Sequence, residues 1–329
     1  MLLKELLKKF CYSGFFKRTM TSGPIMNRLV GNSLVVFLFH DVSDSPSEFS
    51  IDNGLCTPTD VFEAQIRLIA ENFKLLTPEQ LLASSTESHP SAFITFDDGT
   101  KSYFEIAAPI MERYECPSTV FLNMGVVHGE IFWSGLISYL AKRVPEFVKY
   151  CEEKNIEVRG SEFVKLSPTV VQDYFSMRDT RISMDDVKEY YGGFATEEHL
   201  REAAKSEYIY FGNHLFNHHN STTLSTEELG VSFLKNQNAI ESYPNGTKLF
   251  SYPFGQPISC YNENTNTQIL SLGAKKIFSA LPMNNSDNSA SVLYRISGIP
   301  NSTILSEISF PIVFGALKQR MPRSVIFKT

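Results

Sequence analysis

Five short apolar runs in this chain each stop at a polar or glycine-containing step. Residues 34–39 precede His40-Asp41, 93–96 precede Asp97-Asp98, 119–122 precede Asn123, 208–211 precede Gly212-Asn213-His214, and 249–252 precede Pro253-Phe254-Gly255. Their length and their β-branched and aromatic content are those of buried strands. Helical patterns lie between them: at 60–72, where Phe62, Ile66 and Ile69 share one face, and at 101–114. Strand, helix and strand in alternation predict a parallel sheet. Polar residues repeated at strand C-termini predict a (β/α) barrel with its site at that end.

The 329 residues, 43% hydrophobic and 20% charged, are enough for one large α/β domain with insertions or for two ordinary domains. Thirty Lys and Arg against 36 Asp and Glu leave a formal charge of −6, which removes the electrostatic case for nucleic acid. The five cysteines are widely spaced, odd in number and without a CxxC pair, as expected of reduced thiols. No stretch reaches the roughly 18–20 apolar residues a bilayer span needs.

Residues 1–30 form a basic amphipathic segment in which Leu2, Leu3, Leu6, Leu7 and Phe10 oppose Lys4, Lys8 and Lys9. It lacks an uninterrupted apolar core and a small-residue cleavage site, so the expectation is a cytoplasmic protein. Residues 1–20 would suit peripheral contact with the inner membrane face. The barrel is then expected over 31–329, interrupted by a mostly helical insertion at about 133–206. That stretch is rich in charge and helix formers, with Val-Pro at 144–145 and Gly-Gly at 192–193. Its aromatic and branched residues recur with no clear period. Residues 283–291 read as a solvated loop.

In an extended strand Asp97 and Asp98 would point to opposite faces, at high cost for whichever is buried. A bend at Gly99 lets both enter one cavity, where a metal ion or a shared proton makes their proximity tolerable. His214 and His218 are four residues apart. If that segment is helical, both imidazoles project from one face within reach of one ion, while His219 points elsewhere. Adding Asp98 makes a His₂-carboxylate set that leaves coordination positions open, the pattern of a catalytic centre. His89, His128 and His199 have no metal-ligand context.

The combination of Thr95-Phe96-Asp97-Asp98-Gly99 with a later His214-x-x-x-His218 resembles the signature motifs of the polysaccharide deacetylase family (NodB homology, carbohydrate esterase family 4). Ala108-Pro109, Tyr114 and Cys116-Pro117-Ser118-Thr119-Val120-Phe121-Leu122 resemble the family's next helix and strand. Phe250-Ser251-Tyr252-Pro253-Phe254-Gly255 resembles its third motif. The resemblance covers roughly residues 34–132 and 206–300. It implies a distorted (β/α) barrel that uses a divalent metal, Zn²⁺ first and Co²⁺, Ni²⁺ or Mn²⁺ after it, to remove acetyl groups from N-acetylated sugars or saccharides. Carried over by position, Asp97 would be the general base and Asp98, His214 and His218 the metal ligands. The backbone N–H of Phe254 would help to form the oxyanion site, with Tyr252 and Pro253 toward the substrate. Trp133, the only tryptophan, stands where the insertion begins and is a candidate for stacking on a sugar face.

The chain departs from the family pattern at three points. The catalytic-acid histidine that members commonly carry in a late motif has no counterpart here, because no histidine follows His219. A subset, the exopolysaccharide deacetylases with rearranged motif order, carries that acid in an early strand, and His40 resembles it. Ser251 stands where the third motif often has an arginine that orients the base; Arg295, ending another apolar run, could reach Asp97 instead. Leu215 replaces the usual Ser or Thr after the first histidine. Two alternatives stay open: hydrolysis of another N-acyl or formyl amide on the same fold, and a catalytically inactive glycan-binding protein.

Overall fold

The computed structural model describes residues 30–31, 33–83, 90–177, 182–296 and 311–316. The amphipathic segment up to residue 29, and with it the expected membrane contact, lies outside the described residues, as does His89. The strands are β1 (Leu34–Phe39), β2 (Asp41–Val42), β3 (Cys56–Thr57), β4 (Lys74–Leu75), β5 (Ser91–Phe96), β6 (Ser118–Leu122), β7 (Ile209–Asn213), β8 (Gly246–Ser251), β9 (Lys276–Ser279) and β10 (Val292–Tyr294). The main sheet runs β1-β5-β6-β7-β8-β9-β10 with β4 against β5, and all of these pairs are parallel. β2 and β3 form a separate parallel pair. Beyond β10 the sheet returns to its first strand. The Ile296 amide donates to Val36 O at 2.8 Å and the Leu38 amide to Ile296 O at 3.0 Å, so the parallel strands form a nearly closed barrel.

Residues of β1, β5 and β6 are buried throughout, because both faces of a parallel sheet are covered. Alternation along the strand then decides which layer each side chain joins. Leu34 and Val36 of β1 and Phe93 of β5 fall in the cluster with Phe121, Leu249, Phe278 and Leu293, the barrel interior. Phe93 and Phe121 meet Phe278 there at 5.7 and 5.3 Å between ring centroids. Val35, Phe37, Phe39, Ile94 and Phe96 pack outward with Phe62, Ile66 and Ile69 of helix Thr59–Asn72, the face marked by the sequence period.

Between β6 and β7 the chain forms helices Trp133–Arg143, Pro145–Glu153, Pro168–Met177, Met184–Tyr191 and Glu197–Ala203. Pro145 stands at the start of its helix, where its missing N–H costs nothing. The first four share a hydrophobic core of their own, rich in aromatics, with Phe147, Tyr150 and Tyr174 in mutual ring contact, while Leu200 and Ala203 of the fifth pack into the barrel's outer layer. The buried residues of that core do recur at helical spacing, as Trp133, Leu136, Ile137 and Leu140, as Phe147, Tyr150 and Cys151, and as Val187, Tyr190 and Tyr191, but each run is only one or two turns long and is broken by charged loops. No helix of the described residues is long and apolar enough to cross a membrane.

The stretch 283–291 is the expected solvated loop only from Ser286 on: Met283, Asn284 and Asn285 are buried. Asn285 pairs with Leu34 through two backbone hydrogen bonds, and its amide nitrogen donates to Tyr294 O at 2.9 Å. Its side-chain oxygen accepts the Tyr294 amide at 2.8 Å. An asparagine matching both edges of a strand gap is polar by composition yet serves the interior. Asn285→Ala leaves buried backbone groups without partners and should cost about 1–3 kcal/mol, read from the midpoint of urea unfolding at unchanged slope.

Candidate active site

Phe93, Thr95 and Asp97 point successively into the barrel, so Asp97 enters its mouth by strand parity alone. Its amide still donates to Phe39 O of β1 at 3.1 Å. Asp98 leaves that parity. Its φ is 72° and that of Gly99 is 70°, a reversal that brings the second carboxylate round to the same cavity. A Cβ on Gly99 would lie 2.7 Å from Leu122 Cδ2, so the turn needs glycine for space as well as for conformation.

Asp97 is held by Arg295 in a two-pronged pair, Nη1 to Oδ1 at 2.7 Å and Nη2 to Oδ2 at 2.8 Å. Ser251 Oγ donates to Asp97 Oδ2 at 3.4 Å. Arg295 is fully buried; its Nε donates to Ser279 O at 3.3 Å and its guanidinium lies over the Phe121 ring. Burial pushes the Asp97 carboxyl up, but Arg295 and then His214 outweigh it, so the group is held below the ordinary carboxylate value.

Asp98 Oδ1 lies 3.0 Å from His218 Nε2 and 3.4 Å from His214 Nε2. Burial opposes its ionisation, and the two imidazoles more than reverse this, leaving Asp98 well below its usual value. His214 Nδ1 lies 2.8 Å from the Ser251 carbonyl, which can only accept, so Nδ1 carries a proton and Nε2 is the nitrogen turned toward the carboxylates. Burial lowers both imidazoles; at His214 the flanking Asp97 and Asp98 overcome it and the net direction is up, whereas at His218 burial prevails.

The two histidines do not stand on one helix face. Residues 214–220 form an irregular loop, with Leu215 at φ 59° and His218 at φ 60°. Asparagine amides take the groups a helix would have used. Asn123 Nδ2 donates to the carbonyls of both His214 and Leu215, and Asn213 Oδ1 accepts the Leu215 amide at 2.9 Å. Asn236 Nδ2 braces them by donating to Asn213 Oδ1 and to Leu122 O, each at 2.8 Å. Sequence reasoning assigned these asparagines no role, although Asn123 and Asn213 stand at the strand ends it singled out.

A cavity of about 1030 Å³ opens over this centre, lined by His40, Asp97, Asp98, His214, His218 and Phe254 on the barrel side. His40 follows β1 directly, is half-buried, and exerts an electrostatic pull on both carboxylates. Phe254 has φ 61° and sets its ring edge-on to His218 at 4.9 Å. Among the described residues, no recorded hydrogen bond engages its amide. Three expected substrate contacts are corrected. Tyr252 is fully buried, stacked on Tyr261 at 4.7 Å and donating to Asn266 Oδ1 at 3.1 Å. Pro253 beside it is also buried and lines no part of the cavity. Trp133 is 7% exposed and meets His219 edge-on at 4.8 Å, turned into the helical core while the adjacent Ser134 reaches the cavity wall.

The donor set fits a metal ion. The ligand atoms of Asp98, His214 and His218 all lie within 4.8 Å of one another, and all three residues are buried. Two imidazole nitrogens and one carboxylate oxygen suit Zn²⁺ and leave further positions open. Asp97, clamped by Arg295, stands beside the set without belonging to it.

A family model described as polysaccharide deacetylase matches residues 84–277, more than half of the chain. YxkH of Bacillus subtilis (strain 168), whose name places it with the polysaccharide deacetylases, is 28% identical over 94 residues; the match spans 27% of this chain and 31% of that protein. Among solved structures, the Streptococcus pyogenes deacetylase PplD in complex with acetate shares 16% identity at a TM-score of 0.56, covering 88% of this chain and 99% of that one. IcaB from Ammonifex degensii shares 15% at 0.57, covering 85% and 98%. At these identities the structural likeness speaks for the fold, a distorted (β/α) barrel.

Arg295→Met keeps Asp97 buried and removes the cation that offsets burial. The carboxyl value rises, so with Asp97 as the general base that the resemblance implies, the acid limb of a kcat/KM profile should move to higher pH. The same variant should lose about 3–5 kcal/mol of stability, the cost of stranding a buried charge. Adding Asp97→Asn should restore part of it in denaturant unfolding.

Proposed function

The chain belongs to the polysaccharide deacetylase family, and from that premise we propose that it is a metal-dependent hydrolase that removes the N-acetyl group from an N-acetylated sugar or saccharide. The observation that carries the reading is the separation of the two neighbouring carboxylates. Asp98 faces two imidazoles, and Asp97 faces an arginine. Asp98, His214 and His218 would hold the ion, with Zn²⁺ favoured by the donors. When bound, such an ion supplies positive charge that acidifies a water and polarises the acyl oxygen.

The remaining work falls to the chain's own groups. Asp97, kept ionised and fixed in direction by Arg295, accepts the proton that water loses as it adds to the acyl carbon. The Phe254 amide is a donor for the oxygen on which negative charge develops. His40, which lines the same cavity, gives a proton to the departing amine, so that acetate and a free amino sugar result. Arg295 in the place left vacant by Ser251 supports an active enzyme over an inactive glycan binder, since a binding site has no need of an oriented base. Asn123, Asn213 and Asn236 hold the histidine loop in place, which compensates for the hydroxyl that Leu215 lacks.

Acetate release from metal-loaded protein on a panel of N-acetylated sugars and saccharides tests the reading. Asp98→Ala should abolish metal binding. Asp97→Asn should keep the metal and lose turnover by about 10²–10⁴-fold. His40→Gln should lose turnover by a similar factor. Wild-type protein that binds no metal under metal-replete conditions would overturn the proposal.

A further inference from the structure

The two histidines facing Asp98 are held in place by different means. His214 is fixed by a hydrogen bond from Nδ1 to the Ser251 carbonyl. His218 Nδ1 is buried and meets no hydrogen-bond partner among the described residues. A ligand histidine is ordinarily oriented by a hydrogen bond from its second nitrogen, and losing that partner weakens metal affinity by roughly 10–100-fold. His218 nevertheless points its Nε2 at Asp98 from a left-handed backbone.

What surrounds the ring is aromatic. Phe132 lies 5.0 Å from it, inclined at 57°, and Phe254 lies 4.9 Å away at 76°. Phe132 is fully buried and is itself wedged by Phe194 at 4.5 Å and by Phe49 and Tyr191 at 5.6 and 5.8 Å. Phe132 immediately precedes the first helix of the excursion between β6 and β7, and Phe194 follows helix Met184–Tyr191. The backbone beside Phe194 is tied to the turn that carries Asp98: the Lys101 amide donates to Gly193 O at 3.0 Å and the Ala195 amide to Gly99 O at 2.9 Å. The base of the helical excursion therefore touches both segments that bring ligands to the centre, one through a ring and the other through main-chain hydrogen bonds.

We infer that Phe132, backed by Phe194, is a positioning residue for His218 and takes the place of the missing hydrogen bond, so that the helical excursion tunes metal affinity through its base. The inference rests on Asp98, His214 and His218 being the ligand set of the proposed function. Edge-on and tilted aromatic contacts fix a ring plane with less directional force than a hydrogen bond, and two phenyl rings against one imidazole restrict both its tilt and its rotation.

The test is metal affinity, measured on full-length folded protein by competition with a chromogenic chelator for Zn²⁺, together with the absorption spectrum of the Co²⁺ form. Phe132→Ala should weaken Zn²⁺ binding by about 10–100-fold and alter the Co²⁺ bands, with Phe132→Leu falling between it and wild type. Phe147→Ala, which empties the same helical core away from His218, should lower stability and leave both readouts close to wild type. Wild-type affinity in Phe132→Ala, or an equal loss in Phe147→Ala, would overturn the inference and leave the proposed function standing. A wild-type protein without affinity for metal would overturn both.

Discussion

Two consecutive carboxylates are buried at the mouth of the barrel, and the site is organised by what each needs in order to stay charged there. A lone buried carboxylate takes up a proton rather than bear the loss of water. Asp97 and Asp98 escape this by diverging. Strand parity sends the first inward onto the Arg295 guanidinium, and the left-handed backbone at the second turns it toward two imidazoles. One carboxylate is thereby locked to a permanent cation. The other is left against groups whose nitrogens can be shared with an ion. Adjacent residues of one type acquire different chemistry from a single reversal of φ.

Much of this was legible in the amino-acid order. Strands covered on both faces read as continuous apolar runs, so β1 could be delimited to the residue and β5 to within two, and the polar steps that end them marked the active end of the barrel. Asp-Asp-Gly and the spaced histidines displayed the types of group involved. The conformation of the histidine loop was hidden, because it depends on the side-chain amide of Asn123, which donates to the loop from the end of another strand, and on that of Asn213, which accepts from it at the end of its own. Tyr252 and Trp133 were misread for a related reason. An aromatic residue just past a strand end, or at the start of a helix, has no period to declare its side, and both turned into cores made by distant partners. The exchange at Ser251 was equally nonlocal. Its carbonyl orients His214 and its hydroxyl reaches Asp97, while the arginine that faces Asp97 comes from 198 positions further along the chain.

The cavity joins two materials. Its floor is main chain held in a hydrogen-bonded barrel, where side chains emerge at set intervals. Its outer wall, including Ser134, Lys142 and Phe163, belongs to helices with a core of their own. The buried polar groups are thus carried by the strand ends, and the shape of the cavity's outer side by a part that can vary in sequence without disturbing the strands.

Closure of the barrel by Ile296 against β1 has a consequence for biosynthesis. Contacts this distant in sequence form late, after the entropy of the intervening loop has been overcome. Arg295 arrives with that closing segment. A chain emerging from the ribosome through β9 already holds both acidic residues and both histidines, yet Asp97 still has no guanidinium and must keep its water. The pairing that lets this carboxylate stay charged without water is therefore completed by the segment that shuts the ring.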